Sequence, residues 1–373
     1  MINKEYEFTK GHTQIAKGVA ITLMMIHHLF AFPDRIQSVS YISIIPFGNN
    51  NFEFLLGGFA KICVAMYLFL SGYGLYISSF KKGSFTFKDS AEKTLKFLIN
   101  YWVVFIVFVP IGLIWFTNDI RYHFDIIIFL KNFFTLSYSY NFEWWFVRLY
   151  IELLLFFPLI KRILNRGIKS SLAITLSLYI ISFGMEVLVK IKPQLAFLSK
   201  NIIYYDIITI LFWQMTFCVG CLTAKYNLFS YISKWVSSKK LDKKVFYIAM
   251  ILVIITIRTG FSYIFDRIGI GNASYVDFIL APPFILICTN FISQSQSENM
   301  FLTLGKHSTN MWLTHSFFCF YYFQRLVFVP KLSILIVIWL AVLSFTSSLL
   351  INFIIKSSSG FLQNKFYQKK KVY

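Results

Sequence analysis

Two adjacent histidines, His27 and His28, stand inside an apolar run, Met24-Met25-Ile26-His27-His28-Leu29-Phe30. Titratable groups at membrane depth are costly and are functional candidates by default. Neighbouring side chains on a helix project about 100° apart, so the pair cannot both turn comfortably toward lipid. Histidine is also the general base best matched to neutral pH. At least one of the two is therefore expected to do chemistry. Lys17 precedes His28 by eleven positions, just over three helical turns, which sets both on one face about 16 Å apart along the axis. A cation at one end and a base toward the other would line a single stripe of the bundle. Taken alone, Lys17 is explained as simply by snorkelling to the inner headgroups.

Three further positions qualify. Glu143 opens the stretch Glu143-Trp144-Trp145-Phe146-Val147-Arg148-Leu149-Tyr150-Ile151-Glu152 near the expected outer surface, where it is placed to orient a histidine or a sugar hydroxyl. Arg148 and Glu152, four apart, are expected to neutralise one another on one helix face. His315 sits in Ser308-Thr309-Asn310-Met311-Trp312-Leu313-Thr314-His315, expected deeper toward the cytoplasm than His28. It would either help bind a donor, pack against the reactive helix, or remain a core histidine bonded to a nearby hydroxyl. Ser71-Gly72-Tyr73-Gly74 lacks the spacing and context of a phosphate loop, so its glycines are read as points of close helix approach. Cys218-Val-Gly-Cys221 has no second CxxC and no nearby histidine, so all five cysteines are read as packed thiols. No zinc or haem ligand set and no GxSxG elbow is present.

The elements that position these residues are membrane helices. Of 373 residues 57% are hydrophobic and only 14% charged, well below the charged share of soluble domains. Apolar runs long enough to cross a hydrocarbon core recur at roughly 14–33, 55–78, 97–117, 145–164, 171–190, 202–224, 245–258, 275–292, 308–327 and 332–355. The seventh is short and its outer end is allowed to run on to about 265. The expected fold is all-α, a polytopic integral membrane protein with about ten transmembrane helices, forming a single domain over 1–373 without an appended soluble domain. The first run lacks a small-residue cleavage site and is expected to stay as a span.

Lys and Arg outnumber Asp and Glu by 36 to 16. They cluster in the even loops, at Lys81, Lys82, Lys88, Lys93 and Lys96, then Lys161, Arg162, Arg166 and Lys169, then Lys225, Lys234, Lys239, Lys240, Lys243 and Lys244, and in the tail Lys369-Lys370-Lys371. Odd loops hold fewer, namely Arg35, Arg121, Lys131, Arg258 and Arg267. The positive-inside rule then puts both termini and the even loops in the cytoplasm. The net charge of +20 is thereby assigned to topology and anionic lipid, not to nucleic acid. The polar segments 34–54 and 118–144 fall outside, and Gly48-Asn49-Asn50-Asn51 in the first reads as a turn or irregular loop.

The order of these motifs resembles the acyltransferase 3 family of membrane acyltransferases over nearly the whole chain. Four stretches carry the resemblance: Lys17-Gly18-Val19-Ala20-Ile21 through His28-Leu29-Phe30; Phe69-Leu70-Ser71-Gly72-Tyr73-Gly74-Leu75; Trp144-Trp145-Phe146 through Pro158-Leu159; and Gly305-Lys306-His307-Ser308 through Trp312-Leu313-Thr314-His315. The family commonly has Arg where Lys17 stands, an acidic residue where Gln14 stands, and an Arg-rich stretch where Lys93 and Lys96 stand. Lysine keeps the charge but not the bidentate fork.

The resemblance implies an O-acyltransferase of the cell membrane. It would move an acyl group, acetyl above others, from acyl-CoA to a hydroxyl of a capsule, exopolysaccharide, wall or lipid-linked glycan. The resemblance implies His28 as catalytic base and Lys17 as its basic partner. The residues themselves leave open that His28 carries the acyl group transiently, with the acceptor expected near His28 and Glu143. By charge and side, Lys17, Lys93 and Lys96 are expected to meet the cytoplasmic donor, acetyl-CoA or another acyl-CoA, with His315 assisting. No metal is expected. Membrane lipid is the other partner, and a homodimer is compatible with the pattern. The competing class is a transporter or flippase for a polysaccharide precursor, although the matched Pro/Gly-broken helix pairs of many transporters are not seen.

Overall fold

The computed structural model describes residues 8–37, 39–47, 50–239, 243–269 and 273–370. The turn expected at Gly48-Asn49, together with Lys240 and Lys371 of the basic clusters, lies outside the described residues. The described chain is built from helices: α1 (Lys10–Phe30), α2 (Phe52–Ala60), α3 (Cys63–Lys82), α4 (Phe87–Trp115), α5 (Ile126–Phe133), α6 (Trp145–Leu164), α7 (Ile168–Ile191), α8 (Ile202–Lys225), α9 (Leu228–Ser237), α10 (Lys243–Arg267), α11 (Asp277–Ile292), α12 (Glu298–Ser316), α13 (Gln324–Val327) and α14 (Ser333–Lys370). A two-residue antiparallel pairing of Pro46–Phe47 with Asn50–Asn51 is the one sheet among the described residues.

Among the described residues seven helices are long and apolar enough to cross a membrane: the joined α2 and α3, α4, α7, α8, α10, the segment Ala273–Ile292 ending in α11, and α14. The described chain is thus a multi-pass membrane protein built almost wholly of helices. The three other expected spans also form helices, α1, α6 and α12, of 21, 20 and 19 residues. Their polar content keeps them out of the apolar class, and they carry His28, Glu152 and His315.

Several helix ends differ from the sequence expectation. α4 begins at Phe87, not near 97, because Thr86 caps it: its backbone N–H donates to Asp89 Oδ2 at 2.7 Å, and Asp89 also pairs with Lys82. Lys88, Lys93 and Lys96 therefore ride on the first turns of a helix and not in a loop. α12 begins at Glu298 and ends at Ser316, and a wide π-type turn over Phe317–Tyr321 follows. That shift puts His315 at the end of α12, level with His28, and overturns the expected depth difference. Arg258, expected in the seventh loop, lies inside α10, which runs on to Arg267.

Close contacts between backbones set the frame. α1 packs chiefly on α12, and α3 on α8. A Cβ on Gly305 would stand 1.9 Å from the Gln14 carbonyl oxygen, and one on Gly18 would stand 2.2 Å from that of Phe301. Only glycine permits that approach, the membrane analogue of small-residue packing. Gly72 and Gly220 do the same between α3 and α8, with Cβ positions 2.1 Å from the Phe217 and Phe69 oxygens. The reading of Gly72 as a point of close approach therefore holds, whereas Gly74 has nothing within 4 Å. The cysteines are free, buried thiols.

Candidate active site

His28 and His315 meet where the ends of α1 and α12 come together. His28 Nδ1 lies 2.6 Å from His315 Nε2, with ring planes 9° apart. His315 Nδ1 lies 2.7 Å from the Trp312 carbonyl oxygen. The proton positions follow from this order. A carbonyl only accepts, so neutral His315 carries its hydrogen on Nδ1 and leaves Nε2 bare. His28 must then donate from Nδ1, which leaves its own Nε2 without a proton. That nitrogen is the one available to take a proton or attack a carbonyl. His27 turns the other way, with Nδ1 2.8 Å from the Gly57 carbonyl oxygen. Gly57 lies so near the end of α1 that a Cβ there would stand 2.7 Å from the Ala31 nitrogen.

A cavity of about 520 Å3 is lined by His27, His28, Arg35, Lys61 and Glu143, with Phe32, Trp145, Phe146 and Trp312 among its aromatic walls. It extends past Trp213 and Phe212 to Tyr204, Tyr205, Glu186 and Lys190. Its size is that of a small-molecule site, and its make-up, apolar walls with a few convergent polar groups, is of the same kind.

Glu143 is buried beside α6. Arg35 Nη1 donates to its Oε1 at 2.6 Å and the Tyr321 hydroxyl to its Oε2 at 2.5 Å. Asn141, two residues earlier, donates from Nδ2 to Ser316 Oγ at 2.8 Å, and the Trp144 indole donates to the Leu313 carbonyl at 3.1 Å. Those two bonds tie the strand of chain before α6 to the end of α12, so Glu143 and the histidine pair are held in one frame. Glu143 lines the same cavity as His28, but the bonds that engage its carboxylate run to Arg35 and Tyr321 and not to a histidine.

The basic candidates stand elsewhere. Lys17 is half-buried in the second turn of α1 and is not among the residues lining the cavity. Lys93 donates to Ser78 Oγ at 3.2 Å, linking α4 to α3, and Lys96 is exposed. The structure thus gathers His28, His315 and Glu143 at one end and leaves Lys17, Lys93 and Lys96 apart from them. Arg148 bonds Glu152 at 3.3 Å and Asp206 of α8 at 2.5 Å, an ion-pair cluster that joins α6 to α8.

Sequence reasoning missed Arg35, Tyr321 and Lys61 as members of the site. Arg35 stood alone as a cation in its loop, and that isolation was the available signal. It also missed the buried pair of Arg258 with Asp277, bonded at 2.7 and 3.0 Å. Arg258 also donates to the Gly58 carbonyl at 2.8 Å. Adjacent carbonyls at the end of α2 are thus held by His27 and by Arg258, which fixes the break between α2 and α3 beside Lys61. Among the described residues no group of three His, Cys, Asp or Glu side chains is arranged to hold a metal ion.

No curated protein and no solved structure matches the chain. A family model does, described as an acyltransferase domain and aligned over residues 14–355. That interval takes in both histidines, Glu143 and the helices that bring them together. The chain belongs to the acyltransferase 3 family.

Proposed function

We propose that the chain transfers an acyl group, acetyl in the first instance, from cytoplasmic acyl-CoA to a hydroxyl of a cell-surface or lipid-linked carbohydrate. The observation that carries this reading is the chain Trp312 carbonyl, His315, His28, which leaves His28 Nε2 bare at a cavity shared with Glu143. The acceptor hydroxyl gives its proton to that nitrogen as its oxygen attacks the thioester carbonyl. Collapse of the tetrahedral adduct breaks the C–S bond, and the His28 imidazolium returns the proton to the leaving thiolate. His315 Nε2, accepting from His28 Nδ1, holds the ring and steadies the imidazolium. In a covalent variant the same nitrogen attacks the thioester and passes the acyl group on. Arg35 and Glu143 stand ready to orient acceptor hydroxyls. The proposal threads ten spans with both termini cytoplasmic, α1, α6 and α12 included, and puts Lys17, Lys93 and Lys96 on the donor side.

The test is the ester-linked acetyl content of surface glycans in cells carrying the wild type, His28→Ala at matched membrane abundance, or a deletion. Loss of acetyl in both altered strains, with glycan still reaching the surface, is the expected result. Failed glycan export with unchanged acetylation per sugar overturns the proposal in favour of a transporter.

A further inference from the structure

A second cavity, of about 430 Å3, adjoins the first. Arg35 and Phe142 belong to the walls of both. The partition between them is the cluster already described, in which Arg35 and the Tyr321 hydroxyl hold the Glu143 carboxylate. One side of that cluster is the cavity of His28. On the other side stand Arg121, Ser137, Tyr138 and Ser139, all from the segment between α4 and α6.

This wall is built, not incidental. Arg121 Nε lies 3.0 and 2.9 Å from the two carboxylate oxygens of Asp119, and its guanidinium sits 4.7 Å from the centre of the Tyr321 ring. The bond from Arg121 holds the Asp119 carboxyl below the usual carboxylate range, so the pair stays ionised at neutral pH. The Phe142 N–H donates to the Tyr321 oxygen at 2.9 Å, which fixes the rim shared by the two cavities. Asn132 donates to Ser139 Oγ at 2.9 Å and accepts from the Tyr140 N–H at 3.3 Å, and Arg148 donates to the Leu136 carbonyl at 3.1 Å. The loop carrying the three polar residues is thus anchored to α5 and α6.

The chemistry of the wall selects its occupant. Arg35 is matched by Glu143 and Arg121 by Asp119, so the two guanidinium charges lining the cavity are countered by carboxylates that are not themselves among its lining residues. Guanidinium N–H groups and serine hydroxyls suit vicinal hydroxyls, which donate and accept at once. The faces of Tyr138, Phe142 and Tyr321 suit the apolar side of a sugar ring. The charge of each guanidinium is already countered by a carboxylate, which removes the advantage an anion would otherwise have.

We propose that this second cavity is a binding subsite for a neutral sugar unit adjacent to the one acylated, so that the acceptor is an oligosaccharide or polymer and not a single sugar. The inference rests on the acyl-transfer reading given above and adds the size of acceptor it takes. The acceptor lies across the Phe142–Tyr321 rim, with one unit facing His28 and its neighbour against Arg121.

The test uses the full chain in lipid nanodiscs with acetyl-CoA. The acceptors are surface glycan from cells deleted for the protein, stripped of esters and cut into fragments of defined length from one sugar upward. In the wild type kcat/KM should rise at least about tenfold from the single sugar to short oligomers and then level off, as expected when one preformed subsite adds a few hydrogen bonds. Arg121→Gln removes the platform and Ser137→Trp fills the cavity, and in each variant long and short fragments should be used with equal kcat/KM. Equal use of all lengths by the wild type overturns the subsite alone, as does a variant that slows every length by one factor. Absence of transfer to any length, with the chain folded and acetyl-CoA supplied, overturns the carbohydrate reading itself and the subsite with it.

Discussion

Replacing His315 by leucine tests the proposed pairing of the two histidines most directly. His315 is fully buried, and its Nε2 accepts from His28 Nδ1 at 2.6 Å. Leucine fills similar space but offers no acceptor. His28 then carries a buried N–H without a partner, at a cost of about 1–3 kcal/mol, and its imidazolium loses a charge-assisted bond of about 1.5–3 kcal/mol. The second term falls on the proton transfer. At about 1.4 kcal/mol per factor of ten it predicts a drop in kcat of roughly 10- to 100-fold. His28→Ala removes the base altogether and should cost about 10²- to 10⁴-fold. His315→Gln restores an acceptor oxygen and should recover part of the loss. The assay is the initial rate of CoA release in nanodiscs at matched protein, with acyl-CoA varied at fixed acceptor. A His315→Leu protein with unchanged kcat refutes the coupling. One with unchanged kcat but a raised KM for acyl-CoA returns His315 to the donor role the sequence pattern implied.

Glu143→Gln should lower kcat/KM for the acceptor by roughly tenfold while leaving the KM for acyl-CoA in place, because a carboxamide weakens the charge-assisted bonds to Arg35 and Tyr321; steady-state kinetics with each substrate varied in turn will show which constant moves. Gly305→Ala should lower the detergent melting temperature, since its Cβ would meet the Gln14 carbonyl at 1.9 Å and overpacking costs about 1–3 kcal/mol. Gly74→Ala, with open space around it, should be neutral or slightly stabilising in the same scan. Arg258→Met should destabilise by about 3–5 kcal/mol by stranding Asp277, and adding Asp277→Leu should recover much of that loss; a double variant as unstable as the single one would show that the pair does more than neutralise itself.

The outline of the fold was legible because a bilayer imposes one rule, long apolar runs, which the sequence obeys without knowledge of neighbours. Helix ends were less so. α4 starts early at a capping box, Thr86-x-x-Asp89, that was present in the sequence but masked by the lysines around it. Residue types likewise marked His28, Glu143 and His315 as costly in a membrane, yet type alone does not assign partners. His28 and His315 are 287 positions apart, and their contact depends on the Gly18 and Gly305 approach of α1 to α12. Arg258 was misplaced for a related reason: a buried arginine reads like a loop arginine until Asp277 is brought beside it. Arg35 was noticed only as a topology signal, since its bond to Glu143 spans 108 positions.

The division of labour among the helices explains where the chemistry sits. α7, α10 and α14 expose most of their apolar side chains, as helices facing lipid must when every charged group there is penalised. α1 and α12 are different: their buried faces hold His27, His28, Ser308, Asn310, Thr314 and His315. Those side chains can be tolerated only inside a bundle that supplies partners and is screened from lipid by the exposed apolar helices around it. The polar content of α1 and α12 is therefore the same property that lets them carry the buried pair His28 and His315. Polar helices at the centre need close backbone contact to exclude lipid, which glycine provides at Gly18 and Gly305. The two requirements meet at the end of α12, where packing fixes the distance between the histidines and so decides which nitrogen of His28 is left without a partner from His315.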